Sequence, residues 1–367
     1  MRPGAVVVVS GVDVDVVVIG AGQAGLSTAY HLRRLGVSFV VLDGADGPGG
    51  AWASRPPTLT MAKVHGVFDL PGVRRAAAAG EDSAPASEVV GRYYAGYERR
   101  FDLPVLRPVR VTSVESLDDG RLLVRAADGR TWSARAVANA TGTWTRPHWP
   151  YYPGASTFHG RQLHSSQYRG PSSFAGQRVI VVGGGHSAAH VLSEVADVAA
   201  SVTWVTRRPP EFRYDEFSPE VGRAVIADVE ARVRAGLPPL SVVAVTGLGY
   251  TEVVREAMAK GVLNPRPMFT RLVPGGVEFP DGTVAEADVI VWATGFRAAL
   301  GHLAPLHLRE PGGGVRMDGT RVVRDPRVHL VGYGPSASTV GANRAGREAA
   351  LEIKELLESS LPGATAA

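Results

Sequence analysis

The chain has 367 residues, a net charge of +4, 45% hydrophobic and 20% charged residues: an ordinary globular composition with room for two cores and no dense basic run for nucleic acid. Cysteine is absent, which excludes disulfide scaffolding, thiolate zinc sites and dithiol redox chemistry within the chain. No apolar run reaches the roughly 18 residues of a membrane helix, and Asp13 and Asp15 break the N-terminal valine run, so neither a membrane span nor a signal peptide is expected and the expected location is cytoplasmic.

After a lead-in of residues 1–12, Val14 to Ile19 is a β-branched run ending at Gly20, the pattern of a buried parallel strand. Gly20-Ala21-Gly22-Gln23-Ala24-Gly25 follows, then Leu26 to Leu35 at helical spacing, then an apolar run from Phe39 to Leu42 that ends at Asp43. Strand, glycine turn, helix, strand and acid in this order make a dinucleotide site. Gly20 permits the tight turn, Gly22 lets backbone approach a pyrophosphate, and Gly25 lets helix pack on strand. The helix N-terminus offers N–H groups to the phosphates. Asp43 is spaced to accept from the adenosine ribose; a plain strand-end cap is the alternative for it.

Gly49-Gly50-Ala51-Trp52 comes next, and its two glycines let backbone approach a flat ring, whereas Trp52 by itself reads as a core or interface aromatic. Pro71 to Pro85 reads as a surface loop and Ser87 to Arg100 as an amphipathic helix. Val105 to Trp132 alternates around Asp-Gly turns, as a small β-meander does. Ala136 to Gly142 ends in Ala140-Thr141-Gly142. The stretch FHGRQLHSSQY then places Phe158, Gly160, His164 and Tyr168 in the pattern Phe-x-Gly-x-x-x-His-x-x-x-Tyr.

A second unit repeats the first. Gln177 to Val182 is another buried strand, opening Gly183-Gly184-Gly185-His186-Ser187-Ala188, with Ala188 in the third small position. A helix to about Ala199 and a strand from Val202 to Val205 follow. Where the first unit has Asp43, this one has Thr206, Arg207 and Arg208. An acid there binds a 2′-hydroxyl and an arginine a 2′-phosphate, so the second nucleotide is expected to be NADPH; two solvent-facing arginines are the alternative. Pro219 to Leu237 and Thr251 to Lys260 read as helices. Asp288 to Phe296, DVIVWATGF, carries a second Ala293-Thr294-Gly295. His329 to Val331 reads as a strand leading into Gly332-Tyr333-Gly334, and Thr339 to Leu357 as a helix.

Two glycine turns with the Phe158–Tyr168 stretch between them resemble the class B flavin-dependent monooxygenases over nearly the whole chain, the N- and S-oxygenating branch in particular. The resemblance implies an α/β fold of two dinucleotide-binding (Rossmann-like) domains, an NADPH domain (169–295) inserted into an FAD domain (13–168 and 296–367). It implies FAD at Gly20, Gly22, Gly25 and Asp43, with Gly50 and Trp52 beside the flavin. Thr141, Gly142, Thr294 and Gly295 then mark the crossings between domains and are expected among the cofactor-binding residues. Gly332 and the helix starting at Thr339 face the flavin pyrimidine, where a helix N-terminus suits the anionic reduced ring. NADPH falls to Gly183, Gly185, Ser187, Ala188, Arg207 and Arg208.

The implied reaction passes hydride from NADPH to FAD, adds dioxygen at flavin C4a, and gives one oxygen atom of the peroxyflavin to a small organic substrate in a site that excludes water. His164 takes a positioning or interface role in this scheme, with a satisfied buried histidine as the alternative. Tyr168 followed by Arg169 stands where Baeyer–Villiger enzymes more often carry Trp followed by Pro or Asp, which points to oxygenation at nitrogen or sulfur, or to an acid substrate as in the plant auxin-forming members. Leu59-Thr60-Met61-Ala62-Lys63 lacks the Asn of animal-type members. Expected partners are a small-molecule substrate and O2, not nucleic acid or membrane, with a homodimer left open. An NADPH oxidase or reductase, a ketone-oxidising enzyme and a nucleotide sensor share the same turns.

Overall fold

The computed structural model describes residues 11–64, 67–214, 219–240 and 247–359; the start of the expected lead-in lies outside them. Sequence periodicity becomes two sheets. In β1 (Val12–Ile19) and β2 (Phe39–Leu42), Val17, Ile19, Val40 and Leu42 enter one core, while Val16, Val18, Phe39 and Val41 enter the other. A strand buried on both faces reads as an unbroken apolar run because successive side chains point to opposite layers.

Helix α1 (Gln23–Arg34) leaves β1 through the glycine turn and stops at Gly36, whose φ of +69° suits glycine. Val37 N–H closes the end on Leu32 O at 3.1 Å. After α2 (Ala86–Arg100) come β3 (Val105–Leu106), β4 (Val111–Ser116), β5 (Leu122–Ala126) and β6 (Thr131–Asn139). β4, β5 and β6 form the expected antiparallel meander, while β3, β2, β1 and β6 run parallel.

The second unit opens with β7 (Arg161–His164), β8 (Arg178–Val182), α3 (His186–Val195) and β9 (Ser201–Thr206). β10 (Phe212–Arg213), α4 (Pro219–Arg234), β11 (Leu248–Gly249), α5 (Glu252–Ala259) and β12 (Pro265–Pro267) follow. A small antiparallel sheet of β13 (Arg271–Val273), β14 (Gly276–Glu278) and β15 (Val284–Glu286) precedes β16 (Val289–Trp292). The order β12-β9-β8-β16-β7 is parallel throughout. β7 belongs to the Phe158–Tyr168 stretch, so that stretch is built into the second sheet as its edge, and the division expected at residue 168 falls beyond this strand.

The chain then returns to the first sheet through β17 (Met317–Asp318), β18 (Arg321–Val322) and β19 (Asp325–Leu330), the last parallel to β6. Helix α6 (Thr339–Ser359) covers α1. The two helices meet at Gly346, where a methyl group would stand 2.5 Å from Ser27 Oγ and 2.8 Å from Thr28 N.

Gly346→Leu should therefore destabilise the fold. Removing a helical glycine gains about 1 kcal/mol of propensity, but overpacking a closed contact costs about 1–3 kcal/mol, occasionally more. The expected result is a lower urea midpoint at unchanged m-value, with exposed Leu351→Ala within about 0.5 kcal/mol of wild type. Equal stability of Gly346→Leu and wild type would refute the close helix contact.

Candidate active site

The two units share one construction. Gly20, at φ +99°, packs on the first Ala-Thr-Gly turn so closely that a Cβ would lie 2.7 Å from Ala140 O; at Gly183, φ +139°, a Cβ would lie 2.1 Å from Ala293 O. Each first glycine is thus required twice, by its dihedral and by its neighbour. At Gly25 a Cβ would meet Gly20 O at 1.8 Å, whereas the second turn accommodates the buried methyl of Ala188.

Both turns fit a dinucleotide. A Cβ on Gly22 would meet nothing nearer than Gly50 Cα at 3.9 Å, so that side of the turn is open to a ligand. No side chain caps α1 or α3 at their N-cap residues Gly22 and Gly185, and neither first turn carries an acid. Their N-terminal N–H groups and positive dipole ends suit a pyrophosphate. Gly50, at φ +54°, packs against Gly22 and brings the Gly-Gly-x-Trp segment to the first turn, and Gly332 packs on Ala24. At the start of α6, Ser338 Oγ accepts from Gly341 N–H at 3.0 Å and takes one of the N–H groups expected to face a flavin.

The two crossings pair with each other. Thr141 Oγ1 donates to Ala299 O at 2.8 Å and Thr294 Oγ1 to His148 O at 2.5 Å, so both threonines bind the opposite crossing. Gly142 (φ +61°) and Gly295 (φ +78°) make the turns themselves. The residues just beyond stack: Trp144 and Phe296 lie 4.9 Å apart at 23°. His164 locks this joint. Its Nδ1 accepts from Ser166 N–H at 3.1 Å, which puts the proton on Nε2, 3.0 Å from Gly295 O. Burial holds its pKa below the ordinary value, so it is neutral, with Phe296 edge-on at 5.0 Å.

Beside the joint lies a cavity of about 260 Å³. Trp52, Arg55, Leu59, Lys63, Trp144 and Phe296 line one side; Ser165, Tyr168, His186, Ser187, His190 and Val253 line the other. Trp52 of the first unit's Gly-Gly-x-Trp segment and His186 and Ser187 of the second glycine turn therefore face one space. Tyr168 is buried and donates to Glu194 Oε2 at 2.6 Å; Thr58 donates to the same oxygen at 2.9 Å, and His190 Nε2 lies 3.1 Å from Oε1. Burial alone would raise the Glu194 carboxyl, yet these partners hold it below its ordinary value, while burial and Glu194 push the Tyr168 phenol far up. Tyr168 is thus a fixed donor, not a proton source near neutrality.

Asp43 stands at the end of β2, where expected, but it is buried and its Oδ2 accepts from Arg107 Nε at 2.7 Å. Arg107 in turn makes a paired bond to Glu98. This internal partner is closer to the strand-end alternative; a ribose would share the carboxylate with Arg107. Arg207 and Arg208 follow β9, exposed, with no acid paired to either among the described residues. Arg55, Trp144 and Phe296 escaped the sequence reading. The two aromatics carried a faint signal, since each stands just after an Ala-Thr-Gly turn.

A glycine-turn site on each of two sheets, with a cavity between the first unit's Gly-Gly-x-Trp segment and the second turn, defines a flavoprotein oxidoreductase that uses FAD and NADPH. The family described as pyridine nucleotide-disulphide oxidoreductase matches residues 17–314. A flavin-containing monooxygenase from Stenotrophomonas maltophilia is 40% identical, with a TM-score of 0.81 over 94% of this chain and 99% of that one. Flavin-containing monooxygenase FMO GS-OX3 of Arabidopsis thaliana is 30% identical over 55% of this chain, which spans about half (51%) of that relative's length. A ferredoxin–NADP reductase of Ralstonia pickettii is 32% identical over 58% of this chain and 56% of its own. The chain belongs to the class B flavin-dependent monooxygenases, within the pyridine nucleotide-disulphide oxidoreductase family. Its lack of cysteine sets it apart from the disulphide chemistry in that family's name. Among the described residues no helix is long and apolar enough to cross a membrane.

A buried imidazole behind the first crossing also makes stability depend on pH. His302 Nε2 lies 2.7 Å from Asn139 Oδ1, just before the first Ala-Thr-Gly turn, and burial lowers its pKa to about 4. The unfolded state binds this proton near pH 6.5 and the folded state near 4. Stability from the neutral imidazole is therefore present above about pH 6.5 and lost as pH falls towards 4, at up to about 1.4 kcal/mol per pH unit. His302→Gln keeps a donor for Asn139 and should flatten the urea midpoint between pH 6.5 and 4. An unchanged slope would mean that His302 is not held neutral.

Proposed function

We propose that the protein is an NADPH-consuming monooxygenase that places one atom of O2 on nitrogen or sulfur of a small organic molecule. The observation that carries this reading is the cavity itself, because it lies between the first unit's Gly-Gly-x-Trp segment and the second unit's glycine turn and is walled by Trp52, Trp144 and Phe296. Bound FAD and NADPH would supply hydride transfer and oxygen activation. The chain's own residues orient and protect. Apolar walls keep water from the reacting centre, and neutral His164 fixes the crossing beside them. Tyr168 holds Glu194, which ties α3 to the loop at Thr58. Arg207 and Arg208 stand where a 2′-phosphate distinguishes NADPH from NADH.

The direct test is isotopic. With 18O2, NADPH and a panel of thioethers, amines and indoles, a product should carry one labelled oxygen. If NADPH oxidation returns stoichiometric peroxide with every panel member, the protein is an oxidase. If electrons pass only to ferredoxin, it is a reductase. Either result defeats the proposal.

His164→Ala should remain yellow yet release several-fold more peroxide per NADPH consumed, because the joint at Gly295 loses its bolt. Unchanged coupling would reduce His164 to a satisfied core residue.

Arg207→Ala tests the nucleotide assignment. A charge-assisted hydrogen bond contributes about 1.5–3 kcal/mol, so the KM for NADPH should rise roughly ten- to hundred-fold. The KM for NADH should barely change, and turnover at saturating NADPH should hold, because the contact is the same in ground and transition states. Equal losses with both cofactors would limit Arg207 to a folding role.

A further inference from the structure

We propose that the cavity is built for an organic anion and that Arg55 holds the substrate's carboxylate. The reaction at that substrate rests on the monooxygenase reading above; the binding does not. No acidic side chain lines the cavity, although Arg55 and Lys63 both do. Lys63 is already neutralised by Glu256, 2.9 Å away on α5. Glu194 is held by Tyr168, Thr58 and His190. Among the described residues Arg55 has no carboxylate partner, and its Nε is a buried donor with no acceptor.

What Arg55 does have is aromatic support. Its guanidinium carbon stands 4.3 Å from the Trp144 ring centre and 5.8 Å from that of Trp52. Stacking occupies the faces of a guanidinium and leaves its N–H donors, which lie in the plane, to a ligand. Those donors match a carboxylate through two parallel bonds. Burial, with no acid to offset it, lowers the Arg55 pKa to about 10, so the group stays charged at neutral pH. A desolvated charge without a partner in the folded chain is one that a ligand is left to satisfy.

The walls define the rest of the molecule. Trp144, Phe296, Leu59 and Val253 suit an aryl or alkyl body, so the expected class is a small apolar acid bearing an oxidisable sulfur or nitrogen. The competing ligand for Arg55 is a cofactor phosphate. Other groups on the chain are available for phosphates: the uncapped N-terminus of α3 and the exposed Arg207 and Arg208.

Calorimetric titration of the FAD-loaded protein, without NADPH, with 4-(methylthio)benzoate and with its methyl ester tests the idea apart from turnover. Wild type should bind the acid at least tenfold more tightly than the ester. Arg55→Gln should remove that preference and leave both the ester affinity and the KM for NADPH within about twofold; Arg55→Lys should keep part of it. Equal affinities in wild type, or an acid preference that survives Arg55→Gln, would overturn the proposal. So would a tenfold rise in the KM for NADPH with acid binding untouched, which would assign Arg55 to the nucleotide. Should Arg55→Gln not fold, the wild-type comparison and Arg55→Lys decide. Acid bound through Arg55 but never converted to sulfoxide would sustain this inference and sink the monooxygenase reading instead.

Discussion

The structure depends on one contact made twice: the first glycine of each nucleotide turn pressed against the alanine carbonyl of an Ala-Thr-Gly turn. The contact at Gly20 fixes the end of β1 against the end of β6, and the contact at Gly183 fixes β8 against β16. Neither tolerates a methyl group without backbone movement, and close-packed interiors resist such movement. Each nucleotide turn is therefore positioned by the strand from which the chain departs for the other unit. The pairing of the two crossings, Ala299 N–H to Gly142 O and His148 N–H to Gly295 O at 2.9 Å each, extends that constraint to the space between the sheets.

What could be read from the sequence is what local chemistry dictates. The runs Val14–Ile19 and Gln177–Val182 fall on strands buried on both faces, and their shortness, β-branched residues and following glycines mark them as strands rather than buried helix. Helices α1, α2, α5 and α6 lie within a few residues of their expected ends, because turn glycines and apolar spacing set those ends. Less legible was the partner of each element. The pairing of Arg161–His164 with β16 depends on a chain segment over a hundred residues away, so the stretch read as lying between the two glycine turns supplies an edge strand to the second sheet. Asp43 illustrates the same limit: spacing placed it at the strand end, but only tertiary structure brings Arg107 to it.

The site follows that division. Glycines, whose conformational freedom is a property of the residue, announced both nucleotide turns. The residues that give the cavity its character are ordinary Arg, Trp and Phe side chains, and their meaning comes from assembly. Trp144 and Phe296 stack only because the crossings pair, and Arg55 lies on Trp144 only because Gly50 packs on Gly22 and delivers the following loop to the cavity. Thr141 and Thr294, which the motif presents as ligand residues, spend their hydroxyls on holding that pairing.

The loop at residues 58–63 walls one side of the cavity. It reaches the second unit through Thr58 to Glu194 and Lys63 to Glu256, two links of different kinds. The first is partly buried and charge-assisted, of a type that contributes about 1.5–3 kcal/mol. The second is partly exposed, with side chains 20% and 31% accessible, and such pairs contribute about 0–1 kcal/mol. Together two such links amount to about a few kcal/mol, which ties this wall of the cavity to the second unit. The polar cluster around Glu194 therefore joins three parts of the chain, the loop at Thr58, the end of the Phe158–Tyr168 stretch and helix α3, at the edge of the cavity.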